Sequence, residues 1–162
     1  MMDKEEAKKQ IFEAHKTRAI MYYYLYEEIE KQCSEEKARI IFQNATYKRG
    51  KDIQKSYEKF LKNHDYKGLA EHFCASSPSE GELFNPSIEK IESDRAVLTM
   101  ESCPLVSAWK NMGLSVEKIK TLCQVSSYID FGTFESQETG LSFTHQIGKG
   151  DNKCRLIIQK KP

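Results

Sequence analysis

From Asp3 to Lys31 the chain carries neither glycine nor proline and is rich in strong helix formers. An unbroken segment of this kind commits the N-terminal part to one long helix. The apolar stripe Ile11, Ala14, Tyr22, Leu25, Ile29 recurs at helical spacing with one gap, and that face is expected to be buried. Arg18 falls in the gap, with His15 beside it. Arg18 has two readings: it lays its methylenes on the core with its head outward, or it points a guanidinium into a cavity, ready for a carboxylate. The run Tyr22-Tyr23-Tyr24-Leu25-Tyr26 goes round the helix, so it needs protein on more than one side. A homodimer contact and wrapping by the next helix both supply it.

Ser34, followed by Glu35 and Glu36, reads as the cap of a second helix. Ala38, Ile41/Phe42, Ala45, Ile53, Tyr57 and Phe60/Leu61 mark its apolar side, with Gly50 as a kink or a close helix crossing. Asn63-His64-Asp65 ends it, and Tyr66 to Cys74 forms a shorter third helix. Strand patterns then replace helical ones across the turn-rich stretch Ala75 to Pro86. The expectation is a single α+β domain over 1–162: a helical half (1–74), a connector (75–86) and a mixed half (87–162).

Ser87–Glu92 and Arg95–Glu101 flank Ser93-Asp94 as a hairpin, with Ala96, Leu98 and Met100 on one face. Pro104 to Met112 is a short helix closed by Gly113, and Ser115 caps a further helix running to about Thr133. Thr139–Ile147 and Lys153–Lys160 make a last hairpin, and the expected sheet is antiparallel.

With 25 basic and 24 acidic residues there is no broad positive field for a phosphate backbone, so nucleic acid is not an expected partner. No apolar run is long enough to span a bilayer, so no membrane is expected either. Five widely spaced cysteines point to a reducing, cytoplasmic setting rather than a disulfide framework. No phosphate-binding loop, dinucleotide fingerprint or serine-hydrolase elbow is present, and no cofactor is expected.

Five residues of the C-terminal half carry candidate chemistry. Cys103 precedes Pro104 and so occupies a helix cap, where the dipole lowers a thiol pKa; it is a nucleophile candidate or a small apolar plug. Cys123 and Asp130, seven residues apart, share one face of the capped helix, with Asp130 either solvated or at the rim of a cavity. A loop of Gly148 to Asp151 would place His145 opposite Cys154 on one sheet face, as a base beside a thiol; a one-residue slip would undo the pairing. Cys103, Cys123, Cys154 and His145 also form one conceivable zinc set, but no pair has a short chelating spacing, and no metal is expected.

Laid out together, Cys103-Pro104-Leu105, Gly113-Leu114, Cys123 with Asp130, and Gly150-Asp151 leading to Cys154-Arg155-Leu156 resemble the L-2-amino-thiazoline-4-carboxylic acid hydrolase family of bacteria. The likeness extends from about Arg18 onward. It implies a small-molecule substrate, a cyclic amidine bearing a carboxylate, opened at its C–S bond to N-carbamoyl-cysteine. The ending Gly150-Asp151-x-x-Cys154-Arg155-Leu156 is also loosely similar to 4-vinyl-reductase-type ligand-binding domains, some of which bind metal. Two functions follow as expectations. One is a ring-opening hydrolase with Cys103, His145, Cys154, Asp130 and Cys123 in the catalytic site and Arg18 on the substrate carboxylate. The other is a non-catalytic binding or sensor module.

Overall fold

A computed structural model of the protein describes residues 3–162. Asp3 caps the first helix, its carboxylate accepting from the Glu5 amide at 2.7 Å, and Glu5 and Glu6 complement the positive end. Helix α1 (Lys4–Gln32) does not bury the expected stripe. Ala19 and Tyr26 are fully buried and His15, Arg18, Tyr22 and Ile29 partly so, while Ile11, Ala14 and Leu25 face outward. The cause is tertiary. Trp109 donates its indole N–H to the Ala19 carbonyl at 2.8 Å, and Tyr22 and Tyr26 pack edge-on against Phe42. Docking at the small Ala19 selects the face, and it turns Arg18 inward.

Ser34 caps α2 (Glu35–Gln54), which buries Ala38, Phe42, Thr46 and Gly50. The expected continuous second helix stops at Gln54; a turn leads to α3 (Glu58–Lys62), which buries Leu61 behind its buried N-cap Tyr57. Asp65 caps α4 (Tyr66–Ala75), accepting from the Gly68 amide at 2.8 Å. After the connector come β1 (Pro86–Ile91) and β2 (Arg95–Met100), then α5 (Pro104–Asn111), closed by Gly113 at φ 73°.

The expected helix from Ser115 to about Thr133 is two helices, α6 (Val116–Ser126) and α7 (Tyr128–Phe134). At the break, the Ser127 hydroxyl donates to the Gln124 carbonyl at 2.9 Å, a side-chain bond that competes with the backbone ladder. Strands β3 (Thr139–His145) and β4 (Cys154–Lys160) complete an antiparallel sheet of order β1-β2-β4-β3. The fold class is α+β. Ala96, Leu98 and Met100 share the inner sheet face as expected, joined there by Cys154, Leu156 and Ile158.

The last hairpin follows the expected register from Thr139↔Lys160 to Phe143↔Leu156 and then departs from it. A bulge at Thr144 makes His145 the partner of Arg155 instead of Cys154. That single-residue slip turns His145 to the outer face, where it is exposed and its Nδ1 meets the Thr144 hydroxyl at 3.1 Å.

Two apolar clusters form. One joins Tyr57, Leu69, Phe134 and the inner sheet face; the other joins Tyr26, Phe42, Leu105, Trp109 and Leu122. Ile147 packs against both. No described helix is long and apolar enough to cross a membrane.

Candidate functional site

Between the two clusters lies a cavity of about 310 Å³, near the lower end of pockets that hold small molecules. Tyr57, Phe73 and Phe134 wall one side and Leu105, Val106 and Trp109 the other. Five of the six predicted site residues line it: Arg18 from α1, Cys103 at the start of α5, Cys123 on α6, Asp130 on α7 and Cys154 on β4. His145 does not, because of the bulge; it is removed from the site, and with it the conceivable zinc set. Among the described residues no group of three or more His, Cys, Asp or Glu side chains is placed to hold a metal ion.

Each lining group is set by its element. Cys103 is the N-cap of α5 with Pro104 in its first turn, as expected. The expected lowering of its thiol pKa is overturned. Burial pushes it up and outweighs the opposing pull of the Leu105 and Val106 amides. Burial likewise raises Cys123 to about 12 and Cys154 to about 11. The Cys154 sulfur accepts from the Ile147 amide at 3.4 Å, and Gly148 lies against Cys123 so closely that a Cβ there would overlap the thiol. At neutral pH the three thiols are protonated.

Arg18 and Asp130 are the charge-bearing pair of the cavity. Arg18 points inward, the second of its two sequence readings. Its Nε is buried with no hydrogen-bond partner among the described residues, and the guanidinium lies 6.0 Å from the Tyr22 ring centre. Asp130 is half-buried rather than solvated, and desolvation lifts its carboxyl to about 7, with Arg18 pulling the other way. Among the described residues neither side chain makes an ion pair, so the two charges face the cavity without neutralising each other at contact.

Sequence reasoning left several polar lining groups unassigned, among them His15, Ser126 and Gln146. His15 lines the cavity three residues before Arg18, a spacing that places both on one side of a helix. Ser126 lines it with a buried hydroxyl that has no partner among the described residues, and Gln146 lines it from the turn after β3. The Arg18 spacing could have found His15. Nothing local marks Gln146, whose inward position depends on the bulge and on the Asp151 carboxylate accepting its amide N–H at 2.7 Å.

The family model described as L-2-amino-thiazoline-4-carboxylic acid hydrolase matches residues 13–158, a span that includes every lining residue. The chain belongs to this family. Membership supports a hydrolase role. Comparison with curated proteins yields no match. Among solved structures, the chain is similar to a trafficking protein particle complex subunit 3 from Naegleria fowleri covalently bound to palmitic acid. That match has TM-score 0.59 at 15% identity and covers 92% of this chain and 96% of that one. The chain is also similar to the phenol-responsive sensory domain of the transcription activator PoxR with phenol: TM-score 0.53, 14% identity, 88% of this chain and 73% of that one. At such identities the likeness shows a shared fold and no more.

Proposed function

We propose that the protein hydrolyses a small cyclic amidine bearing a carboxylate, opening the ring at its C–S bond. One observation carries this reading: a guanidinium and a carboxyl group, Arg18 and Asp130, face the same apolar-walled cavity, and among the described residues neither has an ion-pair partner. An arginine so placed takes a carboxylate in two parallel hydrogen bonds. A carboxyl group of raised pKa can exchange a proton with an amidine nitrogen. A 2-amino-thiazoline-4-carboxylate carries both functions on one ring, and the family name agrees with that chemistry.

The neutral thiols favour attack by water over attack by a cysteine thiolate. Cys103, Cys123 and Cys154 then serve as polarizable walls around the ring and its sulfur. In the net reaction, water adds at the ring carbon between nitrogen and sulfur, the C–S bond breaks, and N-carbamoyl-cysteine leaves. The test is incubation of the protein with 2-amino-thiazoline-4-carboxylate, followed by chromatography for N-carbamoyl-cysteine. Formation above the protein-free rate supports the reading; none over many hours at high protein concentration ends it.

The same thiols favour a second reading, a ligand-binding module without turnover. It needs the cavity and no activated nucleophile, and the phenol-responsive domain of PoxR is similar in fold. Thermal stabilisation by the thiazoline with no product formed distinguishes it.

A further inference from the structure

His15 stands outside every reading so far, yet it faces the cavity from the same side of α1 as Arg18. Its Nδ1 lies 2.9 Å from the Ile11 carbonyl oxygen, one helical turn back. A carbonyl can only accept, so Nδ1 carries the proton and Nε2 keeps its lone pair in the neutral ring. The Phe84 ring packs edge-on against the imidazole at 5.9 Å and limits its rotation. Among the described residues Nε2 has no hydrogen-bond partner.

We infer that His15 is the general base of the ring-opening reaction, its Nε2 taking a proton from the attacking water, with Asp130 as the acid. The inference rests on the hydrolase reading above. In the first step, the water oxygen bonds to the ring carbon between nitrogen and sulfur as Nε2 takes one of its protons. The carbon–nitrogen π pair moves to the ring nitrogen, which receives the Asp130 proton. In the second step, the adduct hydroxyl returns a proton to Asp130 as the carbonyl forms. The C–S bond breaks, and the His15 imidazolium protonates the departing sulfur. One water is consumed, and both side chains end as they began.

The electrostatics agree with this division of roles. Burial, with Arg18 adding to it, holds His15 below the ordinary imidazole value, while burial lifts Asp130. Two groups whose environments shift their proton affinities in opposite senses are the usual signature of a base and an acid in one site. The other titratable or charged groups lining the cavity are Arg18 from the same helix, Tyr57 from the N-cap of α3, Cys103 from the start of α5, Cys123 from α6 and Cys154 from β4.

The experiment compares His15→Asn with the unaltered protein on 2-amino-thiazoline-4-carboxylate. Asparagine can keep the hydrogen bond to Ile11 and has no group at the Nε2 position. The expected result is a fall in kcat of about 10²–10⁴-fold, KM within about threefold, and loss of the acidic limb of the kcat/KM profile. An undiminished kcat with that limb intact overturns the assignment while leaving the hydrolase reading in place. No turnover by the unaltered protein overturns both. Should the variant fail to fold, ¹⁵N NMR of the unaltered protein decides: a protonated Nδ1 and bare Nε2 support the assignment, and the opposite tautomer ends it.

Discussion

Gly50 of α2 and Gly132 of α7 meet backbone to backbone: a Cβ on Gly50 would sit 2.8 Å from the Gly132 Cα and overlap the Ile129 carbonyl oxygen. The crossing continues in side-chain bonds, with Gln54 and Lys51 of α2 donating to the Glu135 carbonyl at 2.7 and 2.9 Å. Asp130 lies two residues before Gly132, so this contact fixes how far the carboxyl reaches toward the cavity. Gly132→Ala would place a methyl against the Tyr47 carbonyl, with main chain on both sides and no flexible side chain to yield. Overpacking costs about 1–3 kcal/mol, and a clash with main chain falls at the upper end of that range. Urea denaturation should show that loss, and a variant within about 1 kcal/mol of the parent, on the order of ordinary surface changes, would mean the helices can part without penalty.

Arg18 is expected to act through the shape of its guanidinium as much as through its charge. Arg18→Lys keeps the positive charge and loses the paired donors, which should weaken binding of the thiazoline carboxylate by about 10–100-fold. Calorimetric titration measures this directly. Arg18→Met should abolish binding, and it should not destabilise the empty protein greatly, since the buried Nε has no partner among the described residues to lose. Equal affinity in the parent and the Arg18→Lys variant would remove the two-point contact.

Asp130 makes a prediction about stability against pH. Its folded pKa is raised from 3.8 to about 7 by burial, so the fold prefers the protonated form. Stability from this group is therefore complete below about pH 4, declines as pH rises toward 7, and stays low above it. The ceiling is about 4 kcal/mol, at roughly 1.4 kcal/mol per pH unit. Asp130→Asn removes the penalty, so its melting temperature should exceed the parent's at pH 8 and converge with it near pH 4. A constant difference across that range would show that the carboxyl is solvated.

Most of the fold was legible because its signals are local. The caps at Ser34 and Ser115, the proline after Cys103 and the glycine at 113 do their work within a few residues. Alternation along β2 and β4 likewise gave the inner sheet face. What failed depends on contacts remote in sequence. The buried face of α1 is chosen by Trp109 docking at Ala19, and the apolar stripe alone pointed to Leu25, which is 50% exposed. The Cys103 thiol shows a similar conflict: its cap position was correct, yet enclosure by other elements outweighs the local dipole. Five cavity residues were found from sequence because each sits at a position its own element orients. Gln146 was missed because only the assembled cavity reveals it, whereas His15 shares the helix face of Arg18 and its spacing already pointed there.

The thiols should be slow rather than reactive. At pH 8 a thiol raised from about 8.5 in the unfolded chain to about 11 in the fold has its thiolate fraction cut by more than about a hundredfold. Cys103, Cys123 and Cys154 should therefore resist iodoacetamide in the native protein and react readily in denaturant, as peptide mass spectrometry can follow. Rapid native alkylation of Cys103 that titrates below pH 8 would return a thiolate to the site.

His145 supplies the converse case. Register alone would have put it beside Cys154, and the bulge at Thr144 instead sends it to the outer sheet face, in the layer where Arg155 binds Glu89 at 2.7 Å. Its ring is exposed, and among the described residues its one side-chain partner is the neighbouring Thr144 hydroxyl. His145→Ala should thus change stability by no more than about 0.5 kcal/mol and leave thiazoline binding and turnover as they are. The measurement pairs naturally with His15→Asn, because both remove one imidazole from the same chain. If turnover falls with His145 and not with His15, the strand must slip back to the unbulged register when substrate binds.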